Sequence, residues 1–203
     1  MYSVAKKEVN MAGNPKLNDD EMLQAEFKYI NQNAFQANED RSRFSSYYFV
    51  TVGSFVAAVL GSPSVLGQQT VALAFFVLFI VLTVMGTFTL AQLARLRAAW
   101  HESVEAMNQI KNYYIKNNPN IKPAFKWLDK QVPPTDKPYS IANLIAMEVA
   151  TLSSLTTGTA IYFLLSALGN INTISWLIIF ASAILGYIAQ WAWYKRLLID
   201  DHA

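Results

Sequence analysis

The sequence predicts an all-α polytopic membrane protein: four transmembrane helices as two hairpins, with a cytoplasmic antiparallel helical stalk. Three observations carry this. Between Arg43 and Arg95 there are fifty-one consecutive residues without Asp, Glu, Lys or Arg, and between Glu148 and Lys195 another forty-six. Each gap is long enough for two helices of ~20 residues, the length that crosses a ~30 Å hydrocarbon layer. Turn residues break each gap near its middle, Gly61-Ser62-Pro63-Ser64 in the first and Gly169-Asn170 in the second. Finally, the segment from Arg95 to Lys137 holds eight Lys/Arg against four Asp/Glu, whereas the turns 61–69 and 169–173 hold no charge. Lys and Arg are retained on the cytoplasmic side, so the middle segment and both termini are expected inside.

Residues 1–17 read as a flexible polar tail, without the apolar core of a cleavable signal peptide. Asn18 is a candidate N-cap, and Glu21 stands where a capping-box carboxylate reaches back. From there Leu23, Phe27, Ile30, Ala34, Ala37, Arg41, Phe44 and Tyr48 recur at steps of four and three, a heptad seam interrupted only at Arg41. No Pro or Gly intervenes before Gly53, so this helix runs into a first span at about 44–61. Arg43 is expected to snorkel at its inner edge.

The second span, about 70–93, mirrors the first. Leu93, Leu96, Trp100, Val104, Met107, Lys111 and Tyr114 continue the apolar pattern until Asn117-Asn118-Pro119 ends it. Residues 18–116 thus form two long helices leaving the membrane side by side. Their stripes, with Phe27, Ile30, Trp100 and Met107 as the principal contacts, are buried best against each other and a neighbouring subunit. Residues 117–140 are a Pro-rich cytoplasmic linker, with Phe125-Lys126-Trp127 suited to a short helix at the lipid surface. Ser140 caps the third helix, about 141–168. The fourth, about 174–193, ends at the aromatic and basic anchor Trp191, Trp193, Tyr194, Lys195 and Arg196, and 195–203 form a cytoplasmic tail.

Composition limits the chemistry. The chain has no cysteine, which excludes disulfides, thiol nucleophiles and cysteine metal sites. His101, Glu102 and Glu105 lack the second histidine at i+4 that a zinc-binding helix needs, and the other histidine is His202. With no phosphate-binding Gly-rich loop or nucleophile elbow, neither catalytic residues nor a cofactor are expected, and the basic loop reads as positive-inside rather than as a nucleic-acid site.

Glu148 is the only charged residue within the predicted spans. A carboxylate there is a functional candidate by default, against the alternative of a boundary residue paired with Arg43 or Arg95. On the same helix stand Thr151, Ser153, Ser154, Thr156, Thr157, Gly158 and Thr159. Ala150, Ser154 and Gly158 are four apart, as are Ser182 and Gly186 on the fourth helix, a spacing that lets helices approach closely. Packing and a hydrated lining are both compatible with this pattern.

The stretches Ala25–Ile30, Glu39–Arg43, Trp100–Ser103 and Asn108–Lys111, with a capped helix, a short hairpin and a returning helix, resemble the SLATT group of small bacterial membrane proteins and related RipA-like proteins over residues 18–116. The resemblance implies an effector in a bacterial conflict system, triggered by a nucleotide-signalling partner. The hairpin at 141–194 departs from a two-helix unit of that kind. The leading expectation is a non-enzymatic homo-oligomer of the bacterial inner membrane, its stalk controlling a pore or membrane-perturbing element. The alternatives are an anchor that holds a cytoplasmic enzyme or sensor at the bilayer, and a small transporter or channel using Glu148.

Overall fold

The computed structural model describes residues 18–61, 68–125, 127–128, 132–169 and 171–200, with residues 199 and 200 described by backbone alone. The polar tail 1–17, most of the turn between the first two helices, Lys126, Asn170 and His202 lie outside the described residues. Four α-helices account for most of the rest: α1 Asp19–Leu60, α2 Gln68–Asn117, α3 Ile141–Ala167 and α4 Thr173–Asp200. All four are long and apolar enough to cross a membrane, with stretches whose mean hydropathy is 1.2, 2.6, 1.3 and 1.7 in chain order. At 1.5 Å per residue, α1 and α2 extend for roughly 63 and 75 Å, about twice the ~30 Å hydrocarbon thickness or more.

Helix ends follow local chemistry. Asn18 occupies the N-cap of α1, but its side chain makes no capping bond; the start is held by Met22 N donating to the Asn18 carbonyl at 3.1 Å. The first-turn acids Asp19, Asp20 and Glu21 complement the positive helix end. Ser140 caps α3 as expected, its hydroxyl accepting from Asn143 N at 3.3 Å. Asn117 ends α2, and a 3-10 turn, Pro119–Ala124, follows it; Phe125 and Trp127, where a short surface helix was anticipated, are not helical, and Lys126 lies outside the described residues. Gly169 leaves α3 in the left-handed region at φ 71°, a conformation that glycine reaches without a Cβ penalty.

Helices α2 and α3 form the central pair; α1 packs on α2 and α4 on α3. The Tyr114 hydroxyl reaches Asp20 Oδ1 at 3.4 Å, so the C-terminal end of α2 lies beside the start of α1. The core is made by Tyr48 and Val52 of α1, Phe79, Leu82, Leu90 and Leu93 of α2, Val149 and Ala150 of α3, and Tyr194 of α4. Phe79 and Phe163 stack at 5.6 Å.

The seam of α1 departs from the heptad expectation. Its buried residues are Ile30, Ala34, Ala37, Arg41, Ser45, Tyr48 and Val52, which repeat every eleven residues from Ile30 through Arg41 to Val52. Eleven residues in three turns is close to the natural period of a straight helix, whereas a seven-residue repeat drifts by ~20° per heptad. Phe44 therefore turns outward and Ser45 inward. On α2 the buried face is Leu93, Ala94, Arg97, Ala98, Val104, Asn108 and Ile110. The anticipated contacts Leu96, Trp100, Met107, Lys111 and Tyr114 are only half-buried, because this stretch is covered by α1 on one side and by the 3-10 turn and the 132–135 segment on another.

Candidate functional site

Within its apolar stretch α3 disposes of its hydroxyls in two ways. Those of Thr151, Ser154 and Thr159 donate only to carbonyls of their own helix, at 2.8, 2.7 and 2.8 Å. Such back-bonding satisfies a donor where no water is present. Ser153 and Thr156 go further and join neighbouring helices. Thr156 Oγ1 lies 3.0 Å from Thr83 Oγ1 of α2. The Ser153 hydroxyl donates to the Thr83 carbonyl at 3.3 Å and accepts from Gln190 Nε2 of α4 at 2.9 Å. A Cβ on Gly86 of α2 would clash with the Ser153 hydroxyl and would stand 2.5 Å from the hydroxyl of Tyr48 on α1.

One residue or more from every helix thus meets at this node. Tyr48 is 2% exposed and Ser153 not at all, and the Tyr48 hydroxyl and Gln190 Oε1 are buried without a hydrogen-bond acceptor or donor. The node is a packed polar crossing of the four helices.

The anticipated small-residue contacts fall on the α3–α4 interface. A Cβ on Gly158 would lie 3.1 Å from Ala183 Cβ and 3.4 Å from the Ile179 carbonyl; one on Gly186 would lie 3.3 Å from Thr157 Oγ1. Ser154 is buried, and Ser182 donates back to the Ile179 carbonyl at 2.8 Å. Glu148 goes elsewhere. It is exposed on the outward face of α3 with Leu144, Thr151 and Leu155, lining a groove shared with Phe49 of α1. The expected pairing with Arg43 or Arg95 is not made: Arg43 engages Asp40 at 3.6 Å, and no described cation lies within ion-pair distance of Glu148. Glu148 is exposed beside the buried Val149 and Ala150 and so points away from Arg95 on α2, while Arg43 on α1 is engaged by Asp40.

Of the contact residues anticipated on the polar halves of α1 and α2, Ile30 is buried and Phe27 half-buried in a groove with Leu23, Ile110, Tyr114 and Phe125. Trp100 lies under the Arg97 guanidinium, 4.6 Å from the ring centre, and Met107 is half-buried in a second groove. His101 Nδ1 faces Glu105 Oε1 at 3.3 Å, one turn along the same helix.

Sequence reasoning missed a basic cluster just beyond the predicted spans. Arg41 of α1 and Arg97 of α2 are 9% and 6% exposed, and Tyr194 of α4 is 1% exposed. Burial holds the Arg41 guanidinium below its ordinary range, and the Arg97 charge pushes the same way, against the Tyr194 phenol. Burial lowers Arg97 too, again opposed by Tyr194. The phenol is raised by burial and drawn back by both arginines. The available signal was Arg41 itself, a charge at a seam position, read there only as an interruption. No protein-family model, curated protein or solved structure is detectably similar to this chain.

Proposed function

We propose that the chain is a non-enzymatic, homo-oligomeric protein of the bacterial inner membrane with both termini cytoplasmic. Its helices form two spanning hairpins, and the polar halves of α1 and α2 form a cytoplasmic stalk. Assembly through stalk and spans builds a pore or membrane-perturbing element under the stalk's control. The observation that carries this is the division of polar groups on α3. Ser153, Ser154 and Thr156 turn inward, while Glu148 and Thr151 face outward among Leu144 and Leu155. A carboxylate on a lipid-directed face costs roughly 2.5–3.5 kcal/mol at mid-span. A neighbouring copy presenting the same face would replace lipid by polar contacts, and a hydrated path would then run between copies. Glu148→Gln keeps the shape and removes the charge. It should change leakage from liposomes of a trapped cation dye several-fold at unchanged oligomer mass. Wild-type leakage at that mass would defeat the pore reading.

A second reading, a scaffold holding a cytoplasmic protein or nucleotide-signalling partner at the bilayer, is favoured by the groove on the stalk lined by Ala34, Phe35, Trp100, Val104, Met107 and Trp127. Phe35 is 64% exposed, so Phe35→Asp should leave the chain's own fold intact. Under the assembly reading this variant disperses the oligomer in detergent. Under the scaffold reading the oligomer mass holds and a partner that co-purifies stoichiometrically with wild type is lost.

A further inference from the structure

Two buried cations on adjacent helices need a counter-charge. A guanidinium carries five N–H donors. Arg41 spends one on Asn38, Nη2 to Oδ1 at 2.6 Å, and its buried Nε has no acceptor. Arg97 donates from Nε to the Thr135 carbonyl at 3.1 Å and from Nη2 to the Pro134 carbonyl at 3.3 Å, with Trp100 stacked beneath it. Carbonyls orient a guanidinium but do not neutralise it. Among the described residues no carboxylate pairs with either arginine: Asp40 engages Arg43, and Asp136 stands 4.0 Å from Lys195. A buried charge left uncompensated is costly, and here the Arg97 charge also acts on Arg41.

We propose that Arg41, Arg97 and Tyr194 form a binding site for a phosphate-bearing anion where α1, α2 and α4 converge. Planar guanidinium forks match tetrahedral phosphate oxygens in a bidentate way that ammonium groups do not, and the phenol supplies a further neutral donor. The surroundings favour an anion as well. Arg43, Arg95, Lys195 and Arg196 flank the ends of the same apolar stretches, the depth at which phosphodiester headgroups concentrate along a positive-inside boundary. A lipid headgroup and a free phosphate offer the same chemistry to these donors.

The test uses the full chain in a phosphate-free neutral detergent, followed by thermal unfolding and native mass spectrometry. Phosphatidylglycerol is compared with diacylglycerol of the same acyl chains, and inorganic phosphate with chloride at equal ionic strength. A rise in melting temperature with phosphatidylglycerol alone, and a retained lipid adduct, assigns the site to a headgroup; a rise with inorganic phosphate alone assigns it to a soluble anion; a rise with both supports the shared chemistry. Arg41→Gln and Arg97→Gln should each weaken the effective affinity about ten- to a hundredfold, the span expected for charged hydrogen bonds. Should either fail to fold, Arg41→Lys and Arg97→Lys retain the charge and lose the fork, and should bind more weakly than wild type. No response of the wild type to either phosphate source overturns the proposal. So does a double-mutant cycle in which Asp129→Asn, a residue outside the described segments, destabilises the anion-free protein as much as Arg97→Gln without additivity, since the arginines would then be paired within the chain.

Discussion

Gly86→Ala should be the most damaging methyl addition among the described glycines that lie within helices. The added carbon would overlap the Ser153 hydroxyl and stand 2.5 Å from the Tyr48 hydroxyl and 2.6 Å from Ser153 Cβ. None of these is the free end of a flexible chain. Ser153 is pinned by its bonds to the Thr83 carbonyl and Gln190, and Tyr48 is almost wholly buried. Relief requires α2 to move away from α1 and α3 together, which also stretches the Thr83–Thr156 bond and the bond from the Ser153 hydroxyl to the Thr83 carbonyl. Overpacking of a tight core costs about 1–3 kcal/mol, and loosening a buried polar contact adds roughly 1–3 kcal/mol per group left unsatisfied. The measurement is unfolding of the detergent-solubilised chain, with Gly53→Ala as the control, because a Cβ there meets nothing within 4 Å. Adding Tyr48→Phe to Gly86→Ala deletes one of the obstructing atoms and should restore part of the loss. Equal unfolding of Gly86→Ala and Gly53→Ala would mean that the four helices do not cross here.

The same node marks where sequence reasoning reached its limit. The four long apolar helices were legible because such a helix is reported by what is absent, and the charge-free runs 44–94 and 149–194 are each about twice the length that crosses a bilayer. Ser140 and Asn117-Asn118-Pro119 were legible because capping and helix-breaking act within a few residues. Period was harder. Steps of four and three occur in seven- and eleven-residue repeats alike, and only the position of Ser45 rather than Phe44 in the seam separates them. Gly158 and Gly186 could be marked because small residues recur at four-residue spacing on each helix. Gly86 has no such companion, and its partners on α3 are some seventy residues away in the chain. Arg41 and Arg97 were readable as boundary charges, yet their joint burial against Tyr194 depends on three helices converging, which no local pattern encodes.

Gly158→Leu should separate α3 from α4, and the contact distances predict where tolerance ends. Alanine at this position would place its Cβ 3.1 Å from Ala183 Cβ and 3.4 Å from the Ile179 carbonyl, a conflict relieved by a shift of a few tenths of an ångström. Leucine adds three further carbons toward a backbone carbonyl that cannot rotate away. Helices in lipid associate through close packing without a hydrophobic drive, so interaxial distance set by small residues decides whether the contact exists. The neighbouring contact supplies a reporter. A Cβ on Gly186 would lie 3.5 Å from Thr157 Cβ, at the near end of the roughly 3.5–4.5 Å range of a disulfide, and the chain contains no native cysteine. Thr157→Cys with Gly186→Cys should therefore oxidise readily within one chain. In that background Gly158→Ala should still cross-link, and Gly158→Leu should lose most of the cross-link while its helical content persists, since each helix keeps its own backbone bonds. Efficient cross-linking in the leucine variant would show that α3 and α4 meet on another face, and a failure in the parent double-cysteine chain would remove the interface altogether.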